Sequence, residues 1–131
     1  MGRNSELRKV IKARLMTLIL DPQFTGIEES GIAFRRVDPK VAFPHIVFDF
    51  PTMSPNDEGR EDFVLDVHIW TRDQWLAYEL QEAVVDLFSF YNAPQDTILP
   101  TFYLTSAGEV DDPDKNICHL VVRLQAQNYE R

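Results

Sequence analysis

The sequence predicts an α+β fold: a mainly antiparallel sheet of 4-5 strands with two helices on one face, in the order α-(β)-β-β-α-β-β. Three observations carry that expectation. From Phe63 to Phe88 the hydrophobic period switches within a few residues from two to about 3.6, the mark of a strand that feeds straight into an amphipathic helix. Alternating apolar runs at residues 45–50 and 117–127 read as further strands, so that two hairpins are separated by one helix. A chain of 131 residues with 44% hydrophobic content suits one domain, 1–131, able to bury roughly two thirds of its unfolded surface.

Residues 5–20 read as the first helix, with Leu7, Val10, Ile11, Leu15, Leu18 and Ile19 as its apolar stripe and Asp21-Pro22 as its stop. Residues 21–31 form a loop, and Gly31 to Val37 a short strand. Pro39 and Pro44 bracket a connector. In the next strand Ile46, Phe48 and Phe50 share one face and His45, Val47 and Asp49 the other. Pro51 to Asp62 reads as a long turn carrying Pro55, Asn56 and Gly59. Phe63, Leu65, Val67 and Ile69 then line one face of a strand, and Leu76, Leu80, Ala83, Val84 and Leu87 one face of a helix over about 71–90. Thr71 and Gln74 have the spacing of a capping box at their joint. A polar connector, residues 92–100, leads to a strand at 101–107 and an acidic turn at 108–116. The last strand places Cys118, Leu120, Val122, Leu124 and Ala126 inward.

Charge and cysteine usage narrow the function classes. Acids outnumber bases 21 to 13, a formal charge of −8. That balance points away from nucleic acid as a bound ligand, because sequence-independent DNA affinity comes from Lys and Arg displacing counterions. The one cysteine, Cys118, has no partner for an internal disulfide, which fits a reducing compartment. No segment reads as a secretory signal or reaches the roughly 18 apolar residues of a membrane span, so a soluble intracellular protein is expected.

Candidate sites are few. His45, His68 and His119 all fall on the outward face of their strands, with Asp49 and Asp66 beside them, and such a face could converge on a metal. The spacing matches no metal signature, however, and a solvated polar face accounts for it more simply. The turn of Glu109, Asp111, Asp112 and Asp114 lacks the glycine and distal glutamate of a calcium loop. Cys118 points inward, where a thiolate is disfavoured, and Ser54, Ser89 and Ser106 lack a nucleophile elbow. No catalytic residue, metal site or cofactor is expected.

Two charge stripes are better candidates. The first helix carries Arg3, Arg8, Lys9, Lys12 and Arg14 against Glu6 alone, and the second carries Glu79, Glu82 and Asp86 on one side. Complementary stripes can pair within a fold or between subunits; two solvated helix faces are the plain alternative. Arg8 and Lys12, with Glu79, Glu82 and Asp86, are therefore candidates for a subunit interface. The loops at 51–62 and 108–116 exceed ordinary hairpin lengths of about 2–5 residues. Their charged residues Asp57, Glu58, Arg60, Glu61, Asp111, Asp112 and Asp114 are candidates for assembly contacts.

An N-terminal amphipathic helix, the Pro-led strand Pro44-His-Ile-Val-Phe48, a long loop, and the strand end Val67-His-Ile-Trp70 running into a helix with Ala77, Leu80, Val84 and Leu87 precede a closing hairpin. This pattern resembles the small tail-terminator and tail-completion proteins of long-tailed bacteriophages and prophages, which join head to tail. The resemblance implies a homo-oligomeric ring, commonly a hexamer, that caps the tail tube. Its implied partners are itself, the tail-tube protein and the head-connector protein, with no membrane involved. DNA passes through without being specifically bound, a role the acidic balance suits. It implies a virion protein of the tail or neck, present in the host cytoplasm during assembly. Its rival is a small ligand- or metal-binding domain built on the His45/His68/His119 face, and a third reading is an adaptor of contractile machinery related to phage tails.

Overall fold

The computed structural model describes residues 3–24, 26–55, 60–89 and 101–129, with side chains described within them except at 3–7, 51–55, 60–63, 89, 101 and 126–129. The elements are α1 (Arg3–Met16), β1 (Ile32–Phe34), β2 (His45–Pro55), β3 (Arg60–Thr71), α2 (Gln74–Ser89), β4 (Thr101–Val110) and β5 (Cys118–Tyr129), with short 3-10 turns between α1 and β1. The strands pair in the order β1-β2-β3-β5-β4. All neighbours are antiparallel except β1, which runs parallel to β2 with Ile32 opposite Ile46 and Phe34 opposite Phe48. The α+β class, the two hairpins and the element order are those the sequence predicts.

The period switch at Trp70 acts as expected. Leu65, Val67 and Ile69 on β3 and Leu120, Val122 and Leu124 on β5 are fully buried, as are Ile46 and Phe48 on β2. α2 lies against β3, β4 and β5. Its innermost line is Ala77, Leu80, Val84 and Phe88, while Leu76, Ala83 and Leu87 flank that line and are half-buried. α1 packs on β1 and adds Ile11 and Leu15 to the same cluster, so both helices cover one face of the sheet.

Five boundaries differ from expectation: β1 is only Ile32–Phe34, ended where Arg35 takes a positive φ of 72°, and four others have local reasons of their own. The 51–62 segment is largely strand: β2 and β3 stay paired out to Pro55 opposite Glu61. Asp49 faces Asp66 but Thr52 faces Val64, so one extra residue sits on β2 around Pro51. Proline has no N–H to give the ladder, and a bulge lets pairing resume beyond it. β4 likewise runs to Val110 with an extra residue at Thr105, shortening the acidic turn from its N-terminal side. At the head of α2 the cap is Asp73, whose Oδ1 accepts from the Trp75 and Leu76 N–H groups at 3.0 and 3.4 Å. Thr71 ends β3 and instead turns the chain into Asp73, accepting its N–H at 3.0 Å. α1 tightens into a 3-10 turn at Thr17–Leu20, where the Thr17 hydroxyl donates back to the Arg14 carbonyl at 2.6 Å.

Candidate functional site

The two charge stripes stand on neighbouring helices over different strands. α1 lies over β1 and forms one flank; α2 lies over β3, β5 and β4, touches α1 on its near side and forms, with β4, the other flank. On the first flank Lys9 and Lys12 are exposed, and the half-buried Arg8 lays its guanidinium over the Phe34 ring, 5.0 Å from the centroid. Arg35 and Arg36 follow β1 on the same flank and are exposed. On the second flank Glu82 and Asp86 are exposed and Glu79 is half-buried. Among the described residues, none of Arg8, Lys12, Glu79, Glu82 and Asp86 forms an ion pair within the chain.

The face of the sheet away from the helices is a grid of polar and aromatic groups. Asp66 and Arg123 stand opposite each other on β3 and β5, and Arg123 donates to both carboxylate oxygens at 2.8 Å. Asp66 is buried while Arg123 remains half-exposed, so the fork of the guanidinium replaces the water that the carboxylate loses. His68 and His119 meet through Nδ1 and Nε2 at 2.9 Å, one ring donating and the other accepting. Trp70 stacks on both, at 4.1 Å from His119 and 5.3 Å from His68. Burial lowers the basicity of both imidazoles; for His68 the carboxylates of Asp66 and Asp49 oppose that shift, and for His119 the neighbouring His68 reinforces it.

His45 does not join them. It bonds through Nε2 to the Val41 carbonyl at 2.7 Å and lies against Phe43. Among the described residues, no three His, Cys, Asp or Glu side chains cluster so as to hold a metal ion. A cleft of about 390 Å³ opens beside Trp70, lined by Phe43, His45 and Val47 together with Arg35, Arg36 and Asp112. The histidine pair is thus a proton-sharing contact clamped by an indole.

The remaining candidates fall as follows. Asp112 and Asp114 spend their carboxylates on the turn itself, accepting from the Asp114 and Asn116 N–H groups at 2.9 Å each; Asp111 is exposed. Asp57 and Glu58 lie outside the described residues, and Arg60 and Glu61 stand on β3 with side chains outside them. The Cys118 thiol is buried, and that burial, with Glu109 nearby, pushes its pKa up.

Sequence reasoning missed the exposed apolar groups of the second flank. Trp75 is 77% exposed, Tyr78 43%, Tyr103 54%, Leu104 46% and Val110 42%. The signal was present for Trp75 and Tyr78, which sit off the α2 apolar stripe at positions three apart. It was absent for β4, because a strand that alternates apolar residues reads as half-buried whether or not anything covers it.

No helix among the described residues is long and apolar enough to cross a membrane. A comparison with curated proteins finds no match. The family model described as tail completion protein gp17 matches residues 14–127, which takes in nearly the whole of the sheet, all of α2 and the last turn of α1, and the chain belongs to that bacteriophage tail completion family.

Proposed function

We propose that this tail completion protein closes the end of the tail tube as a homo-oligomeric ring of six copies and offers the surface on which the head connector docks. The observation that carries the ring is the separation of charge. In a ring each subunit presents one patch to a different patch of the next, so one chain needs two complementary surfaces. The fold puts Arg8 and Lys12 on α1, over β1 at one edge of the sheet, and Glu79, Glu82 and Asp86 on α2, over β3, β5 and β4, and among the described residues none of them is ion-paired within the chain. Such charges orient a partner and set register; the exposed ones among them, Lys12, Glu82 and Asp86, would each contribute only about 0–1 kcal/mol when paired.

The partners in this reading are further copies of the chain, the tail-tube protein and the head-connector protein. The acidic turn of Asp111, Asp112 and Asp114 and the β2–β3 tip with Asp57, Glu58, Arg60 and Glu61 serve as contacts to those two. DNA passes through an acidic lumen that repels its phosphates. The protein acts without catalysis or cofactor, assembling in the host cytoplasm and remaining in the virion tail.

Reversing Arg8 and Lys12 to Glu tests this. The variant is expected to lose rings by light scattering, or tail joining in a complementation assay, while losing no more stability than the Arg8–Phe34 contact supplies, about 0.5–1 kcal/mol. Reversing Glu79, Glu82 and Asp86 to Lys in that background is expected to restore assembly. A variant that assembles as well as wild type removes this interface. Wild-type protein that neither forms rings nor binds tail tubes removes the ring.

A further inference from the structure

Three features coincide on the flank made by α2 and β4. First, β4 is a ten-residue strand at the edge of the sheet with no partner on its outer side among the described residues, and from Tyr103 to Val110 every residue is exposed. Natural proteins blunt such edges with lysine, proline or a cover. Thr101–Val110 contains no lysine and no proline, its one charge is Glu109, and the bulge at Thr105 is its only such device.

Second, of the six large hydrophobic side chains exposed among the described residues, five stand on this flank. The Tyr78 hydroxyl donates to Glu109 at 3.5 Å, which ties the helix to the strand; Trp75 lies one turn earlier on the same helix face. Aromatic side chains beside an open strand edge have the composition of an interface centre, where tryptophan and tyrosine carry most of the binding energy. Third, from Asp73 to Asp114 the sequence holds nine Asp and Glu and not one Lys, Arg or His.

From these we infer that the open β4 edge, with Trp75 and Tyr78, is the docking surface for the α1–β1 flank of a second copy. The inference rests on the ring reading and deepens it by naming where affinity resides. Charge selects the occupant. Two β4 edges laid together by a two-fold axis would set one wholly acidic flank against another, a like-charge juxtaposition that is penalised. The opposite flank supplies the complement: Lys9, Lys12 and Arg36 are exposed there, as is Arg35, whose guanidinium also stands 3.7 Å from Asp49, and Leu20, the sixth exposed hydrophobic at 81%, ends the 3-10 turn that follows α1. A contact between two different flanks is heterologous, so it propagates from copy to copy, and in the ring reading its rotation closes the assembly. The charges steer the approach, while the strand edge and the aromatic pair hold it.

Cysteine crosslinking of the full chain tests the pairing directly. In a Cys118→Ser background, Leu20→Cys marks one flank and Val110→Cys the other, with a short bismaleimide as probe. Carrying both substitutions, the protein is expected to give a ladder of multimers, and each single substitution to give none. A dimer from Val110→Cys alone would mean two-fold edge pairing and overturn the inference. Rings seen by light scattering with no ladder from the double variant would also overturn it, while leaving the ring reading intact. Neither rings nor ladder, with or without tail tubes, would remove both. In parallel, Trp75→Ser is expected to weaken association at least tenfold with an unchanged melting temperature. Undiminished association would show that the aromatic pair is not part of the contact.

Discussion

β3 and β5 carry two faces of opposite character on the same backbone. On one face Leu65, Val67, Ile69, Leu120, Val122 and Leu124 are fully buried beneath the helices. On the other, directly alternating with them, stand Asp66, His68 and Trp70 opposite Arg123, Val121 and His119. The first face contributes stability by removing apolar surface from water, and many side chains of the right volume would serve. The second face has little apolar area to bury. It holds together through directional contacts, each of which needs its own partner: a forked guanidinium on a carboxylate, an imidazole on an imidazole, an indole stacked on both. The two faces should therefore respond differently to substitution, in size and in additivity.

The apolar face should give the largest effect. Leu80 is fully buried at the centre of α2, between the helix and the strands. Leu80→Ala is expected to destabilise by about 2–5 kcal/mol, the loss of transfer energy plus that of an incompletely collapsed cavity. Denaturant titration measures it, and a loss under about 0.5 kcal/mol would show that this helix face does not belong to the core.

How much of this was open to sequence follows the same division. Wherever one face of an element is buried, its period is written in the residues: the β3-to-α2 switch, the inward line of β5 from Cys118 to Leu124 and the buried Ile11 and Leu15 of α1 stand where their periods place them, while Leu18 and Ile19 fall in the 3-10 turn and the side chains of Leu7 and Ala126 lie outside the described residues. The ends of strands were not legible, because pairing past residue 50 depends on what β3 and β5 offer as backbone partners and not on side-chain pattern. The cap shows a similar limit. Thr71 with Gln74 has capping-box spacing, yet Asp73 is better placed to accept from the first free N–H groups, and the choice is settled by where β3 ends. Of the candidate site, the charged stripes were visible as charge. That one lies over β1 and the other over β3, β5 and β4 required the strand order, in which β5 inserts between β3 and β4.

The polar face should give a smaller effect, with a sign that exposes its nature. Arg123 supplies every hydrogen bond that Asp66 makes among the described residues, and Asp66 is only 6% exposed. Arg123→Ala would leave a buried carboxylate without a partner, at a cost of about 1–3 kcal/mol. Replacing both residues by valine removes the charge as well as its partner, and buried pairs exchanged for apolar groups are often neutral. The double variant is accordingly expected to be more stable than Arg123→Ala alone. Equal or greater loss in the double variant would mean that the pair itself, rather than satisfaction of Asp66, holds the two strands in register.

The smallest effect, and the one that separates the faces most cleanly, is on pH. The one thiol of the apolar face, Cys118, is pushed up and away from neutral pH, whereas burial depresses the basicity of both His68 and His119 from an ordinary value of 6.5. In the unfolded chain these rings take up protons as the pH falls through about 6.5; in the folded chain they resist until lower pH. Between those points the unfolded state binds more protons, so stability rises with pH across that window and is fully present above it. The 2.9 Å contact sharpens the effect, since the ring that accepts cannot take a proton and still accept. Stability of wild type should therefore fall between pH 7.5 and pH 5.5 in denaturant titrations, and that slope should flatten in a His68→Gln and His119→Gln double variant. Leu80→Ala should shift the whole profile down and leave its slope alone. If the double histidine variant keeps the wild-type slope, the protons are being taken up elsewhere, and the imidazole pair is a packing contact with no bearing on pH.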